Sequence, residues 1–93
     1  MNLVSYEKQR LDQWLVYARF AKSRNVAKEI ILKGKMRING EPTNNISIKI
    51  KVGDIIVFFK QNNLYMIEII GLSHQRIAAK FVHHLYKDIL VDE

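Results

Sequence analysis

Ninety-three residues hold one domain and little more, and the absence of cysteine excludes disulfide staples and zinc–thiolate centres and fits a reducing cytoplasm. Apolar residues make up 48% of the chain, enough for a modest core, yet no segment approaches the run of about 18 apolar residues that spans a membrane. The formal charge of +6 is one-sided: residues 1–51 carry eleven Lys and Arg against four Asp and Glu, while residues 52–93 carry four against five, the electrostatic footprint of a polyanion binder.

Residues 1–7 read as a loose lead-in, without the basic start and apolar run of a signal peptide. A helix is predicted over residues 8–21. Leu11, Trp14, Leu15, Ala18 and Ala21 form its main stripe, and Val16, Tyr17 and Phe20 fall outside it. A helix apolar on so many sides belongs at the centre of the domain, with Trp14 in the core rather than offered as a stacking platform. Ser23 is a good N-cap for a second helix, in which Val26, Ala27, Ile30 and Ile31 repeat at helical spacing. Gly34 stands where a left-handed C-cap is expected. Met36, Arg37 and Ile38 read as a short strand, Asn39 and Gly40 as a tight turn, and residues 41–45 as a loop.

The stretch 46–52 alternates strictly, the period of a half-buried strand with Lys49 and Lys51 on its polar face. Val52, Gly53 and Asp54 read as a turn. A hairpin follows, with strands over residues 55–59 and 64–70 about a polar turn at Gln61, Asn62 and Asn63. The last element expected is a helix over residues 74–90, with Ile77, Ala78, Phe81, Val82, Leu85 and Ile89 toward the domain. The fold class is therefore α+β: two N-terminal helices packed on a small antiparallel β-sheet, with a C-terminal helix.

No catalytic constellation emerges. His74, His83 and His84 are the only imidazoles, and adjacent residues on a helix diverge by about 100°. They are read as surface histidines, with no metal site. Asp12 and Asp54 are far apart in sequence, the first suited to ordering basic neighbours and the second to a turn. No phosphate-loop motif occurs. No enzyme activity, cofactor, metal or small-molecule substrate is expected.

What is present suits a nucleic acid. Lys22, Arg24, Lys28, Lys33, Lys35 and Arg37 crowd the stretch 22–40 against the single carboxylate of Glu29. Arg24 and Lys28 lie on one edge of the second helix, roughly 110° from its apolar stripe. Lys and Arg neutralise phosphates, while Ser23, Asn39 and the free N–H groups opening the helix can hold phosphate oxygens. Charge alone does not separate RNA from DNA. A membrane-surface role would need apolar stripes that the core already uses.

At this point the residues resemble a family. Arg10, Leu11, Asp12, Gln13, Trp14 and Leu15, then Lys22, Ser23 and Arg24, then Ala27, Ile31, Gly34 and Lys35, then Ile38, Asn39 and Gly40, and finally Lys51, Val52, Gly53 and Asp54 look like the S4 RNA-binding domain. The resemblance implies an S4-type domain over residues 8–71, with its core motif at 10–54 and residues 72–93 as a helix packed on the same domain. It implies binding of structured RNA through the start of helix 1, the N-terminal end of helix 2 and the loop that follows. Arg10, Asp12 and Arg19 thereby join Lys22, Ser23, Arg24, Lys28, Lys35, Arg37 and Asn39 as the RNA-binding set.

Trp14, Leu15, Ala18, Arg19 and Phe20, with Arg76, Leu85, Tyr86, Lys87 and Asp88, further resemble the small bacterial ribosome-associated heat-shock family of about fifteen kilodaltons. That branch implies a cytoplasmic, stress-linked protein on ribosomal RNA of the large subunit, with tRNA on a stalled subunit as a further contact. Gln13 stands where the family usually has Lys, and the sequence stops at Asp92 and Glu93 without the long basic tail of the best-known member. A single copy is expected to be the working unit. Two other readings stay open: a DNA-binding helix-turn-helix protein, and an orphan accessory RNA-binding domain of an RNA-modifying enzyme.

Overall fold

The structure is a computed structural model, and it describes residues 7–89. The lead-in expected over residues 1–7 lies outside it apart from Glu7. The first helix, α1, is Leu11–Tyr17, shorter at both ends than its apolar pattern suggests. At its start Gln9–Arg10 is drawn into a two-residue strand, β1, by pairing with Lys49–Ile50, which we label β4. At its end Arg19 turns left-handed with φ 70°. The Phe20 N–H then reaches back to the Leu15 carbonyl and the Arg19 N–H to that of Val16, a Schellman closure that satisfies the last carbonyls. Phe20 and Ala21 are buried outside the helix.

The second helix, α2, is Arg24–Lys33, with Ser23 Oγ accepting the Val26 N–H as expected of an N-cap. Its C-terminus departs from expectation. Gly34 has φ −90°, and Lys35 is the left-handed residue with φ 55°. Glycine is required at 34 for another reason, since a Cβ there would lie 2.4 Å from the Ile30 carbonyl oxygen and 2.5 Å from that of Phe59. The Gly34 carbonyl accepts the Phe59 N–H at 2.8 Å, so α2 is stitched to the sheet at that point.

Strand β2, Arg37–Ile38, turns at Asn39 and Gly40, both with positive φ, into β3, Glu41–Pro42. The segment read as loop thus begins as a paired edge strand. The alternating stretch 46–52 forms only the short β4, because its partner is the two-residue β1 and not the main sheet. The long hairpin of β5, Ile55–Lys60, and β6, Asn63–Ile69, forms as expected.

The C-terminal helix does not form. Residues 74–78 run without regular structure, Ala79–His84 make a 3₁₀ turn, and Tyr86–Asp88 form a strand, β7, on β6. The outer edge of β6 would otherwise leave its backbone groups unpaired, and that long-range demand outweighs a locally helical pattern. The five-stranded antiparallel sheet has the order β3-β2-β5-β6-β7. Both helices pack on it around Trp14, whose indole donates to the Gly71 carbonyl at 2.9 Å. Phe20 lies among Phe58, Tyr65 and Tyr86 at ring distances of 4.7 to 5.5 Å. Among the described residues no helix is long and apolar enough to cross a membrane.

Candidate nucleic-acid interface

The basic face is built on a buried carboxylate. Asp12 is the second residue of α1 and is fully buried. One carboxylate oxygen accepts from Arg10 Nε at 3.2 Å and from the Gln13 N–H at 2.8 Å. The other accepts from Arg10 Nη2 at 3.0 Å and from Arg24 Nε and Nη2, each at 3.3 Å. Burial pushes its pKa up, but the Arg10 hydrogen bond, the Arg24 charge and the Gln13 N–H outweigh it, and the carboxyl titrates below its ordinary range. Asp12 therefore stays anionic beneath two guanidiniums whose side chains are 40% and 49% exposed. Its carboxylate is closed to solvent and orients the two guanidiniums.

This clamp joins the start of α1 to the start of α2. Arg24 and Asn25 open α2, and among the described residues nothing accepts from their backbone N–H groups. The Ser23 hydroxyl accepts from Val26 and keeps its own hydrogen to donate. Lys22 is exposed beside it, and Lys28 is half-buried one turn on. Arg10, Ser23, Arg24 and Lys28 are thus brought to one region, with the positive end of the α2 dipole among them.

Lys49 is a cation of this face that sequence reasoning did not select. It is the cross-strand partner of Arg10 in the β1–β4 pair, so two cations stand directly opposite, and Asp12 offsets the charge of the first. Its only signal was its place on the polar side of an alternating stretch; the pairing of two-residue strands leaves no mark in the sequence. A groove of about 290 Å³ runs between them, lined also by Glu7, Lys8, Gln9, Gln13, Ser73 and His74. Gln13 keeps its amide there, held by Gln9 Nε2 at 2.9 Å.

The remaining residues lie apart. Lys35 and Arg37 are exposed and line a second groove with Leu32, Pro42, Thr43 and Asn44. Arg37 Nη1 donates to the Gly40 carbonyl at 3.0 Å. Asn39 serves the hairpin: its Oδ1 accepts the Ile55 N–H and its Nδ2 donates to Asp54, leaving one amide hydrogen for a ligand. Asp54, read as a simple turn residue, is a buried knot that also accepts the Lys51 N–H and ammonium at 2.9 and 2.8 Å. Arg19 sits at the far end of α1, with its Nη1 on the Ile77 carbonyl, and is not brought to the Arg10–Arg24 cluster.

Residues 9–56 match the S4 domain family. The chain belongs to the S4 domain family. S4 domains are RNA-binding modules, and residues 9–56 of this one include β1, both helices and the Asn39–Asp54 bond that steadies the β2–β3 turn. The chain is 38% identical to a heat shock protein 15 homolog of Haemophilus influenzae over 79 residues, 85% of this chain and 60% of that protein. It is 38% identical to the small ribosomal subunit protein uS4 of Solidesulfovibrio magneticus over 61 residues, 66% of this chain and 29% of that one. This S4 domain chain also superposes on a trimeric structure of Vibrio cholerae heat shock protein 15 with a TM-score of 0.80 and 32% identity, covering 90% of this chain and 84% of that one. It spans 60% of the length of the Haemophilus relative, so the match is to part of a longer protein.

Proposed function

We propose that this chain is a non-catalytic RNA-binding protein that recognises ribosomal RNA on the large ribosomal subunit in the cytoplasm, with tRNA on a stalled subunit as a further contact. The observation that carries the reading is the Asp12 clamp. A buried carboxylate fixes Arg10 and Arg24 at the mouth of α2, so that oriented guanidiniums, free backbone N–H groups and the opposed Lys49 converge on one place. A phosphate bridging that mouth would receive charge-assisted forks from guanidiniums already oriented. The unit that carries binding is residues 8–71. The heat-shock branch is favoured over uS4 because the match takes in 60% of the Haemophilus relative against 29% of the uS4 protein, and the superposition takes in 84% of the Vibrio cholerae chain.

Sedimentation with separated ribosomal subunits tests the reading. Co-migration with the large subunit is expected, and migration with the small subunit alone would overturn the assignment to the large one. Gel-shift competition at fixed salt should favour structured RNA over duplex DNA. If Lys22, Arg24, Lys28, Lys35 and Arg37 contact phosphates, log affinity should fall against log salt with a slope of magnitude about 3 to 5. A slope near zero would remove this face from consideration.

A further inference from the structure

Residues 69–87 contain no Asp or Glu, yet they hold Arg76, Lys80, Lys87 and all three histidines. On an α-helix His83 and His84 would diverge. The 3₁₀ turn Ala79–His84 instead brings their rings to 4.3 Å between centroids. Phe81, 48% exposed, lies 5.9 Å from the His84 ring and 5.3 Å from the Lys80 ammonium. Among the described residues neither Arg76 nor Lys80 takes part in an ion pair. Phe81 and His84 also line a groove of about 470 Å³ of mixed character with Leu72, Ser73, Gln75 and Ile77, and Arg76 stands in its wall.

This segment starts at the Arg10–Lys49 groove and runs along α1 to its far end. Gln9 Nε2 donates to the Ser73 carbonyl at 2.7 Å, Arg19 Nη1 to that of Ile77 at 3.0 Å, and the Ile77 N–H to that of Tyr17 at 3.4 Å. His74 reaches the groove that holds Arg10 and Lys49. We infer that residues 74–84 form a second RNA contact, in which Phe81 and His84 stack unpaired bases and Arg76 and Lys80 hold the adjoining phosphates. The inference rests on the RNA-binding reading above and adds to it the kind of RNA taken: a helical element with a single-stranded flank. Stacking on aromatic rings accepts any base, so this contact is indifferent to sequence. An exposed ring alone would serve a protein partner equally well. Arg76 and Lys80, in a stretch 69–87 whose own sequence holds no carboxylate, favour the phosphodiester chain.

The test is fluorescence anisotropy at fixed salt with three RNAs: a short hairpin, the same hairpin with a flank of about five unpaired nucleotides, and the hairpin with an abasic flank of equal length. The flank should tighten binding about tenfold, and the abasic flank, which keeps the phosphates, about twofold. Phe81→Leu should abolish most of the tenfold gain, Phe81→Trp should keep it, and neither should change affinity for the bare hairpin. Failure to bind the hairpin would overturn the RNA-binding reading and this inference with it. Hairpin binding with no gain from the flank, or an abasic flank as good as the full one, would overturn this inference alone. So would a gain that survives Phe81→Leu, including the case where that variant alters self-association in light scattering and the ring serves a second copy instead.

Discussion

Arg24 does two things with one guanidinium. Its Nε and Nη2 face Asp12, while half of the side chain stays open to solvent beside the α2 N-terminus. Arg24→Ala should cost about 1 to 3 kcal/mol of RNA binding, the range for a hydrogen bond to a charged group. It should cost only about 0 to 1 kcal/mol of stability, because Arg10 still neutralises the buried Asp12 and the arginine lost is half-exposed. Arg24→Lys keeps the charge without the fork and should recover part of the binding. Affinity and melting temperature measured on the same preparations separate the two effects. Asp12 and Asp54 supply the acid sensitivity. In each, burial raises the pKa, and the partners, Arg10 and Arg24 for the first and Lys51 and Asn39 for the second, outweigh it and leave the value below the ordinary 3.8. A carboxylate whose folded pKa is depressed stabilises at full strength above its unfolded pKa, and that contribution disappears as pH falls through the folded one. Melting temperature should thus be insensitive to these groups from about pH 7 down to about pH 5 and then drop, and Asp12→Asn with Asp54→Asn should flatten the acid limb.

At the scale of elements, both helices end in a left-handed cation, Arg19 after α1 and Lys35 after α2, where glycine or asparagine would be more comfortable. Lys35→Gly should leave melting temperature unchanged or slightly raised while RNA affinity falls. Lys35→Ala should lower affinity alone and leave melting temperature near that of the natural chain, since alanine keeps the strained φ and loses only the charge. By contrast Gly34→Ala should destabilise by about 1 to 3 kcal/mol, because two carbonyl oxygens occupy the space a methyl needs. These elements also show what was legible in the residues themselves. Ser23 as a cap, the Asn39–Gly40 turn, the β5–β6 hairpin and Trp14 in the core follow from local chemistry and spacing, and they stand in the structure. The limits of α1 were not legible, since they depend on a strand partner forty residues away and on a left-handed arginine. Nor was β7, because Leu85 and Ile77 repeat as a helix would and only the unfilled edge of β6 selects a strand. The Asp12 clamp was half-visible: the carboxylate among cations could be read, but not its burial, which comes from packing α1 against α2.

At the scale of the whole molecule, one copy is our proposed working unit, whereas the Vibrio cholerae relative is a trimer in its solved structure. Light scattering over a range of concentrations, with and without RNA, measures the state directly: a mass that stays at one chain supports the single-copy reading, and a threefold mass overturns it. The sheet constrains how copies could meet. Its outer strands are β3, two residues long and ending in Pro42, which has no N–H to give, and β7, three residues long and bearing Lys87 and Asp88. Short, charged or proline-bearing margins do not template a neighbouring strand. The five-stranded sheet is therefore closed to lateral growth: strand addition finds no long free margin on β3 or β7 among the described residues. In crowded solution that geometry is protective, because the route from crowding to fibre is blocked at both borders of the five-stranded sheet.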